Sequence, residues 1–262
     1  MRLPWIDSIN HIARPVRLIR LFPHDQNRWI HHRDYTTPVQ MAAIANCPDN
    51  VFEIQSRALK HLFTRIRDEN TNCKDFAFYA SRIMRIVAEE SIGSLPSTPL
   101  DITCCGTGAS FSGELVNEDN VCAVSIVRGG DSLLDAVRAC SPAMAVGKIL
   151  IQRDESTPEK LPKMFYSKLP PNVANMDVLL VDPMLATGGS AIMAIQSLVD
   201  AGVNPDRIIF ANVVACPEGL TNLYNAFPTV KVVSACVDDG LNEAKYILPG
   251  LGDFGDRFFN TV

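Results

Sequence analysis

Membrane-length apolar runs, C-x-x-C pairs, a basic stripe and internal repeats are all missing from this sequence. The first absence excludes a helical membrane span, which needs about 20 apolar residues. The second leaves the eight cysteines (Cys47, Cys73, Cys104, Cys105, Cys122, Cys140, Cys216 and Cys236) without zinc-site or dithiol spacing. Several lie inside apolar, strand-like runs, so they read as small buried hydrophobes of a reducing compartment. Basic residues number 24 against 29 acidic, a net charge of −5, which argues against a nucleic-acid partner. The first residues lack the apolar block and small-residue cleavage site of a secretory signal, and no low-complexity segment follows. What remains is ordinary: 262 residues, 47% hydrophobic and 20% charged, enough for one α/β domain with an extension, expected to be cytoplasmic.

The stretch around which the chain is organised is V-L-L-V-D-P-M-L-A-T-G-G-S, residues 178–190. Its first four residues are apolar and read as a strand buried on both faces. Asp182 and Pro183 end that strand, since proline has no amide to donate. Thr187, Gly188, Gly189 and Ser190 make a small turn, and residues 191–201 follow with a helical stripe that Gly202 stops. Free amides at a helix start, flanked by glycines and hydroxyls, make a phosphate cradle. It is not the ATP-type loop: there is no G-x-x-x-x-G-K-[ST], and no lysine lies between Asp182 and Ser190. Here the acid precedes the glycines, where it can accept hydrogen bonds from sugar hydroxyls.

Residues 1–36 are irregular and net basic, and are read as an N-terminal extension to a domain spanning 37–262. His31-His32 has no partner at ligand spacing nearby and reads as exposed. From Thr37 the pattern turns helical, with apolar stripes in 51–68 (Leu59, Leu62, Phe63, Ile66) and 76–92 (Phe76, Tyr79, Ile83, Ile86, Val87). The basic residues Arg57, Lys60, Arg65 and Arg67 read as a solvated face. From Leu100 strands and helices alternate. Strands are expected at 100–105, 121–127, 148–152, 178–181, 208–214 and 230–237, with helices at 132–140, 191–201 and 218–225. Short loops between them predict a parallel sheet with helices on both faces and ligands at the strand C-terminal ends.

Three further motifs fall at such ends. V-R-G-G-D-S (residues 127–132) offers Arg128 beside tight, Gly-rich backbone, which suits a pyrophosphate. I-L-I-Q-R-D-E-S-T (149–157) puts Arg153 at a strand end before a long polar segment, 156–171. Y-I-L-P-G-L-G-D-F-G-D-R (246–257) contains G-x-G-x-x-G, but only seven residues follow Gly255, too few for a dinucleotide fold. Its D-F-G stands without any other kinase signature. The G-T-G-A-S at 106–110 reads as a hairpin loop.

In order and wording, these motifs resemble the uracil phosphoribosyltransferases of the type I phosphoribosyltransferase family, over most of the chain from about Asn50 onward. The resemblance implies the parallel-sheet phosphoribosyltransferase fold, N-terminal helices and a C-terminal base-binding hood. It implies transfer of a phosphoribosyl group from phosphoribosyl pyrophosphate (PRPP) to uracil, giving UMP and pyrophosphate for pyrimidine salvage. PRPP would be held by Asp182, Pro183, Met184, Leu185, Ala186, Thr187, Gly188, Gly189 and Ser190, with Arg128 and Arg153 on the pyrophosphate. The segment after Arg153 would be a mobile flap. Uracil would be read by the backbone at Ile247, Gly252, Asp253 and Phe254. Asp253 would also face PRPP and touch magnesium through water. Catalysis would rest on Arg128, Arg153, Asp182 and Asp253. GTP as an activator and a homodimer or homotetramer are further family expectations. Two departures stand out: the family's V-R-A-G is V-R-G-G here, and Pro183 replaces the second of two adjacent acids found in the wider superfamily. Other readings stay open, namely a phosphoribosyltransferase for another base, or a catalytically silent regulatory homologue.

Overall fold

The computed structural model describes residues 50–153 and 162–261. The expectations for the extension 1–36, for Cys47 and for the first part of the segment after Arg153 lie outside the described residues. The centre is a sheet of parallel strands: β4 (Val121–Val127), β5 (Ala145–Arg153), β7 (Asp177–Val181), β9 (Ile208–Ala215) and β10 (Lys231–Val237). One edge is closed by the short parallel β1 (Val51–Glu53), the other by β6 (Pro162–Lys168), which runs antiparallel to β5. The strand order is β1-β10-β9-β7-β4-β5-β6. A two-residue strand, β8 (Met184–Leu185), adds to the end of β9.

Both faces of the sheet are covered, which explains why the central strands are continuous apolar runs. On one face Ala123, Leu179, Val181, Ala211 and Val233 pack against α1 (Arg57–Arg67), α2 (Cys73–Gly93) and α3 (Gly129–Cys140) through Leu62, Ile66, Phe76, Ile83 and Leu133. On the other, Val124, Val178, Leu180, Phe210 and Val232 meet Ala194, Ile195, Leu198 and Leu223 of α4 (Gly189–Asp200) and α5 (Pro217–Ala226). Burying one such large side chain contributes about 1.5–3 kcal/mol. Side-chain oxygens set the helix starts: Ser56 accepts from the Ala58 amide to cap α1, and Asn72 accepts from Asp75 to cap α2.

Three expectations are corrected. Residues 100–105 do not join the parallel sheet. They belong mostly to β2 (Ser97–Thr103), which pairs antiparallel with β3 (Ser110–Val116) as an isolated hairpin whose β2 residues are all exposed. L-D-I-T alternates apolar with polar, unlike the unbroken apolar runs of the buried strands. The tip at 104–109 is the expected hairpin loop, with Gly106 and Gly108 at positive φ and Cys105 exposed. Residues 51–53 are strand rather than helix, because Val51 and Phe52 pair with Val232 and Val233 before the Ser56 cap. Arg67 is not part of a solvated face. It is partly buried, with two nitrogens on Asp238 at 2.8 and 2.7 Å and one of them also on the Gly250 carbonyl at 2.7 Å.

Candidate active site at the carboxyl rim of the sheet

The chain leaves β4 for β5 on one side, then returns past β4 to place β7 on the other. In an open α/β sheet that reversal creates a crevice outside the carboxyl ends of the strands, where ligands bind. Arg128 follows β4 and Asp182 follows β7, so the two stand on either lip of this crevice. Arg153 ends β5, the next strand along.

The loop after β7 is fixed along its whole length. The Asp182 amide donates to Ala211, and the Pro183 carbonyl accepts from Val213 and Val214 at 2.9 and 3.0 Å. Pro183 and Leu185 are buried, Leu185 in the apolar layer over the sheet and the Pro183 ring beside Gly129, and their carbonyls are taken by the amides of Val213, Val214 and Cys216, so the expected substrate contacts at these two positions are not available. Behind the turn, Asn222 of α5 donates to the Thr187 carbonyl at 3.0 Å and Cys216 to Ala186 at 3.0 Å. Gly188 caps α4 with φ of 84°, a left-handed conformation that glycine adopts without steric cost. The first turn of α4 carries no acidic side chain, so its free amides and positive dipole end are left for an anion. Pro162, at the start of β6, comes within 3.3 Å of where a Gly189 Cβ would stand, which lays the far end of the expected flap against this turn. Thr187 also borders a groove of about 480 Å³ lined by Glu218, Asn222, Asn242 and Lys245; Asp182, Arg128 and Asp253 do not line it.

Across the crevice, Gly130 packs so tightly on β7 that a Cβ there would strike the Val181 carbonyl oxygen. Gly129 is less confined: a Cβ would lie 3.1 Å from Pro183 Cγ and 3.5 Å from an Asp182 carboxylate oxygen. The loop after β4 and the loop after β7 therefore touch. A cis peptide bond joins Val127 to Arg128. The Arg128 guanidinium donates to Asp256 at 2.7 Å and to the Thr261 hydroxyl at 2.9 Å.

The segment 246–257 closes the third side. It begins with β12 (Ile247–Leu248), paired to β11 (Gly240–Leu241), and passes through a cis Leu248–Pro249 bond. Asp253 then caps the short helix α6 (Phe254–Phe259), accepting from the Asp256 amide at 2.9 Å. Phe254 is buried, its ring 5.4 Å from that of Phe76, so at this position only backbone is available to a ligand. The Asp182 carboxyl is pushed up to about 8, chiefly by burial and also by the Asp253 charge, against the pull of the Met184 amide. An acidic pair at one rim, Asp182 and Asp253, suits a divalent cation. No cluster of three or more metal-ligating side chains occurs among the described residues, so a cation here would need oxygens from a substrate.

The crevice thus gathers Asp182, the 183–190 turn, Arg128 and Asp253. Three further residues hold these groups in place. Asp256 and Thr261 hold Arg128; a carboxylate three residues after a cap, followed by a hydroxyl, was the available signal. The third is Asp238, 3% exposed, which takes Arg67 on one side and the Gly250 amide at 3.0 Å on the other. Nothing local marks a contact across 171 residues.

Residues 53–261 match the family model described as UPRTase, uracil phosphoribosyltransferase. The chain is 47% identical over 209 residues to a uracil phosphoribosyltransferase of Lachancea kluyveri, covering 78% of this chain and 93% of that one. Among solved structures, AQ2163 protein from Aquifex aeolicus aligns with a TM-score of 0.68 at 26% identity, covering 80% of this chain and 97% of that one. An adenine phosphoribosyl transferase from Trypanosoma brucei shares the fold at a TM-score of 0.51 and 12% identity, covering 78% and 88%. With its motifs gathered at one switch point and a match spanning most of its length, this chain belongs to the uracil phosphoribosyltransferase family.

Proposed function

We propose that the protein transfers the phosphoribosyl group of PRPP to uracil, releasing pyrophosphate and forming UMP. The observation that carries this reading is the meeting of Asp182, Asp253, Arg128 and the bare start of α4 around one crevice. The α4 amides hold the 5′-phosphate. Asp182 accepts from the ribose hydroxyls, and the positive charge that grows on the ribose, with the magnesium carried on PRPP, would draw off the proton it holds in the ligand-free protein. Arg128, with Arg153 from the neighbouring strand, takes the charge of the departing pyrophosphate. Backbone at Ile247 and residues 252–254 offers donors and acceptors to the rigid edge of uracil. Asp253 through water, with Asp182 beside it, would hold a magnesium ion carried in on PRPP, which supplies neutralisation of phosphate charge. No side chain is assigned as a base for the uracil ring, and positioning supplies the remaining rate.

The same reading extends to regulation and assembly. The outer face of α1 and α2 presents Arg65 and Arg82 over the Tyr79 ring, at 5.4 and 6.0 Å, with Arg57 exposed on the same helix as Arg65. Aromatic and cationic groups of this kind suit GTP as an activator. The β2–β3 hairpin exposes Leu100, Ile102, Phe111 and Leu115, which supports a homodimer or homotetramer, since a lone two-stranded hairpin is marginal in water. The protein works in the cytoplasm, with residues 1–36 outside the catalytic domain. The deciding experiment is UMP formation from uracil, PRPP and magnesium, run beside a panel of bases. Absence of product would sink the transferase reading, and a purine used as efficiently as uracil would sink the backbone-readout account.

A further inference from the structure

Arg128 opens α3 and belongs to the pyrophosphate loop, yet its guanidinium is held by the other side of the crevice. One nitrogen donates to Asp256 Oδ1 at 2.7 Å, another to Thr261 Oγ1 at 2.9 Å, and the group lies 5.8 Å from the Phe259 ring centre. All three partners come from α6 and the turn after it. Asn260 in the left-handed region, with φ of 57°, bends the chain so that the Thr261 amide donates to the Asp256 carbonyl at 3.0 Å. The Thr261 hydroxyl then donates to Asp256 Oδ1 at 2.7 Å while accepting from Arg128, closing a triangle of carboxylate, hydroxyl and guanidinium. Gly255 leaves the path open, since a Cβ there would stand 3.1 Å from Arg128 Nη2.

We propose that Asp256, with Thr261, is a positioning residue for the reaction: it aims Arg128 at the pyrophosphate and ties that aim to the segment that binds the base. This rests on the transferase reading above. Stability does not account for the pair, because Arg128 and Asp256 are 48% and 37% exposed and such surface pairs add little. Geometry does account for it. A guanidinium has five N–H donors, and two are spent on Asp256 and Thr261, which leaves three in a fixed plane for phosphate oxygens. The thread continues to the other acid of the site, since the Asp256 amide donates to Asp253, the cap of the same helix. The Thr261 hydroxyl and Arg128 hold Asp256 below the usual carboxylate range, as an orienting anion must be.

The test is an initial-rate matrix of uracil against PRPP for wild type, Asp256→Asn, Thr261→Val, Arg128→Ala and Asp256→Asn with Arg128→Ala, alongside thermal unfolding of each. Loss of one charge-assisted orienting bond predicts a KM for PRPP raised on the order of tenfold in Asp256→Asn, with little change in KM for uracil or in Tm. Thr261→Val should shift the same constant in the same direction by less. In the Arg128→Ala background Asp256→Asn should add nothing further, because its object is gone. Additive effects, a KM for uracil that rises as much as that for PRPP, or tighter PRPP binding in Asp256→Asn would each overturn the assignment. Calorimetric titration of the same variants with magnesium pyrophosphate reads the effect on Arg128 without turnover. A wild-type protein that makes no UMP would sink the transferase reading while this titration still decides the role of Asp256.

Discussion

Replacing Asp182 with Asn should make the protein more stable and nearly inactive at once. In the folded chain its carboxyl holds a proton up to about pH 8, against an ordinary value of 3.8. Between those values the native state binds more protons than the unfolded chain, so stability falls as pH rises through that window. At about 1.36 kcal/mol for each pH unit, the ceiling on this penalty at pH 7 is roughly 4 kcal/mol. Asparagine keeps the shape, does not ionise and removes the penalty. In ligand-free protein the mutant Tm should exceed that of wild type, by up to roughly 8–16 °C at pH 7 to 8 if that whole penalty is removed. The two curves should converge near pH 4. Turnover should drop by roughly a hundredfold or more, as when one electrostatic stabiliser is lost. Scanning calorimetry of both proteins from pH 4 to 8.5, with UMP formation measured on the same samples, tests both halves. A stability difference that does not vary with pH would show that Asp182 is not an acid strained by its setting. Near wild-type turnover would remove it from the mechanism.

Arg128→Ala should weaken PRPP by ten- to a hundredfold while leaving uracil nearly untouched, because only the pyrophosphate loses a charged partner; equal loss for both substrates in the rate matrix would point to misfolding. The adjacent glycines should part company on mutation to alanine. Gly129→Ala needs only a few tenths of an ångström from the Pro183 ring and should cost under about 1.5 kcal/mol, whereas Gly130→Ala meets the Val181 carbonyl and should cost about 1–3 kcal/mol or more in urea unfolding. The reverse order would refute the packing of these loops. Arg67→Met should cost about 3–5 kcal/mol, since it leaves Asp238 buried without its counter-charge. The same mutant should raise KM for uracil more than KM for PRPP, because Gly250 hangs from that pair; unchanged stability would show that Asp238 finds water instead.

The parts of this site that could be read from the chain are those built by contiguous residues. A strand, an acid, a proline, two glycines and a helix occur in register within 178–190, and each local preference agrees with the next, so the loop is written out in order. The Arg128 and 246–257 segments were legible for the same reason, as strand ends followed by tight turns. The hairpin is hard to place from sequence because a run such as residues 100–105 has enough apolar residues to pass for a strand of the sheet. Only its alternation with Asp101 and Thr103 sets it apart from the buried strands, and in the structure neither face is covered. Arg67 reads as solvated in the sequence because helical spacing says which way a side chain leaves the helix and not what waits there. Its partner Asp238 arrives from 171 residues later.

That limit bears on what the crevice can do. Each substrate is assigned to its own segment by contiguous sequence: PRPP to the loops after β4 and β7, the base to residues 247–254. Read one at a time, these are three independent sites. The contacts that join them run between segments distant in the chain. They are Gly129 against Pro183, Asp253 against Asp182, and Asp256 against Arg128 across 128 residues. Displacement at the anomeric carbon requires the sugar, the departing pyrophosphate and the base to be held together, and effective molarity depends on how rigidly they are held. The buried strands supply the rigidity, and the cross-segment pairs set the alignment. A mutation in one of those pairs should therefore change rate or substrate affinity at little cost in stability, while one in the apolar layers beneath, such as Phe210→Ala or Leu180→Ala, should do the opposite. The two classes should separate cleanly when kcat/KM is plotted against Tm, and a single trend through both would show that the rim has no alignment of its own beyond what the core imposes.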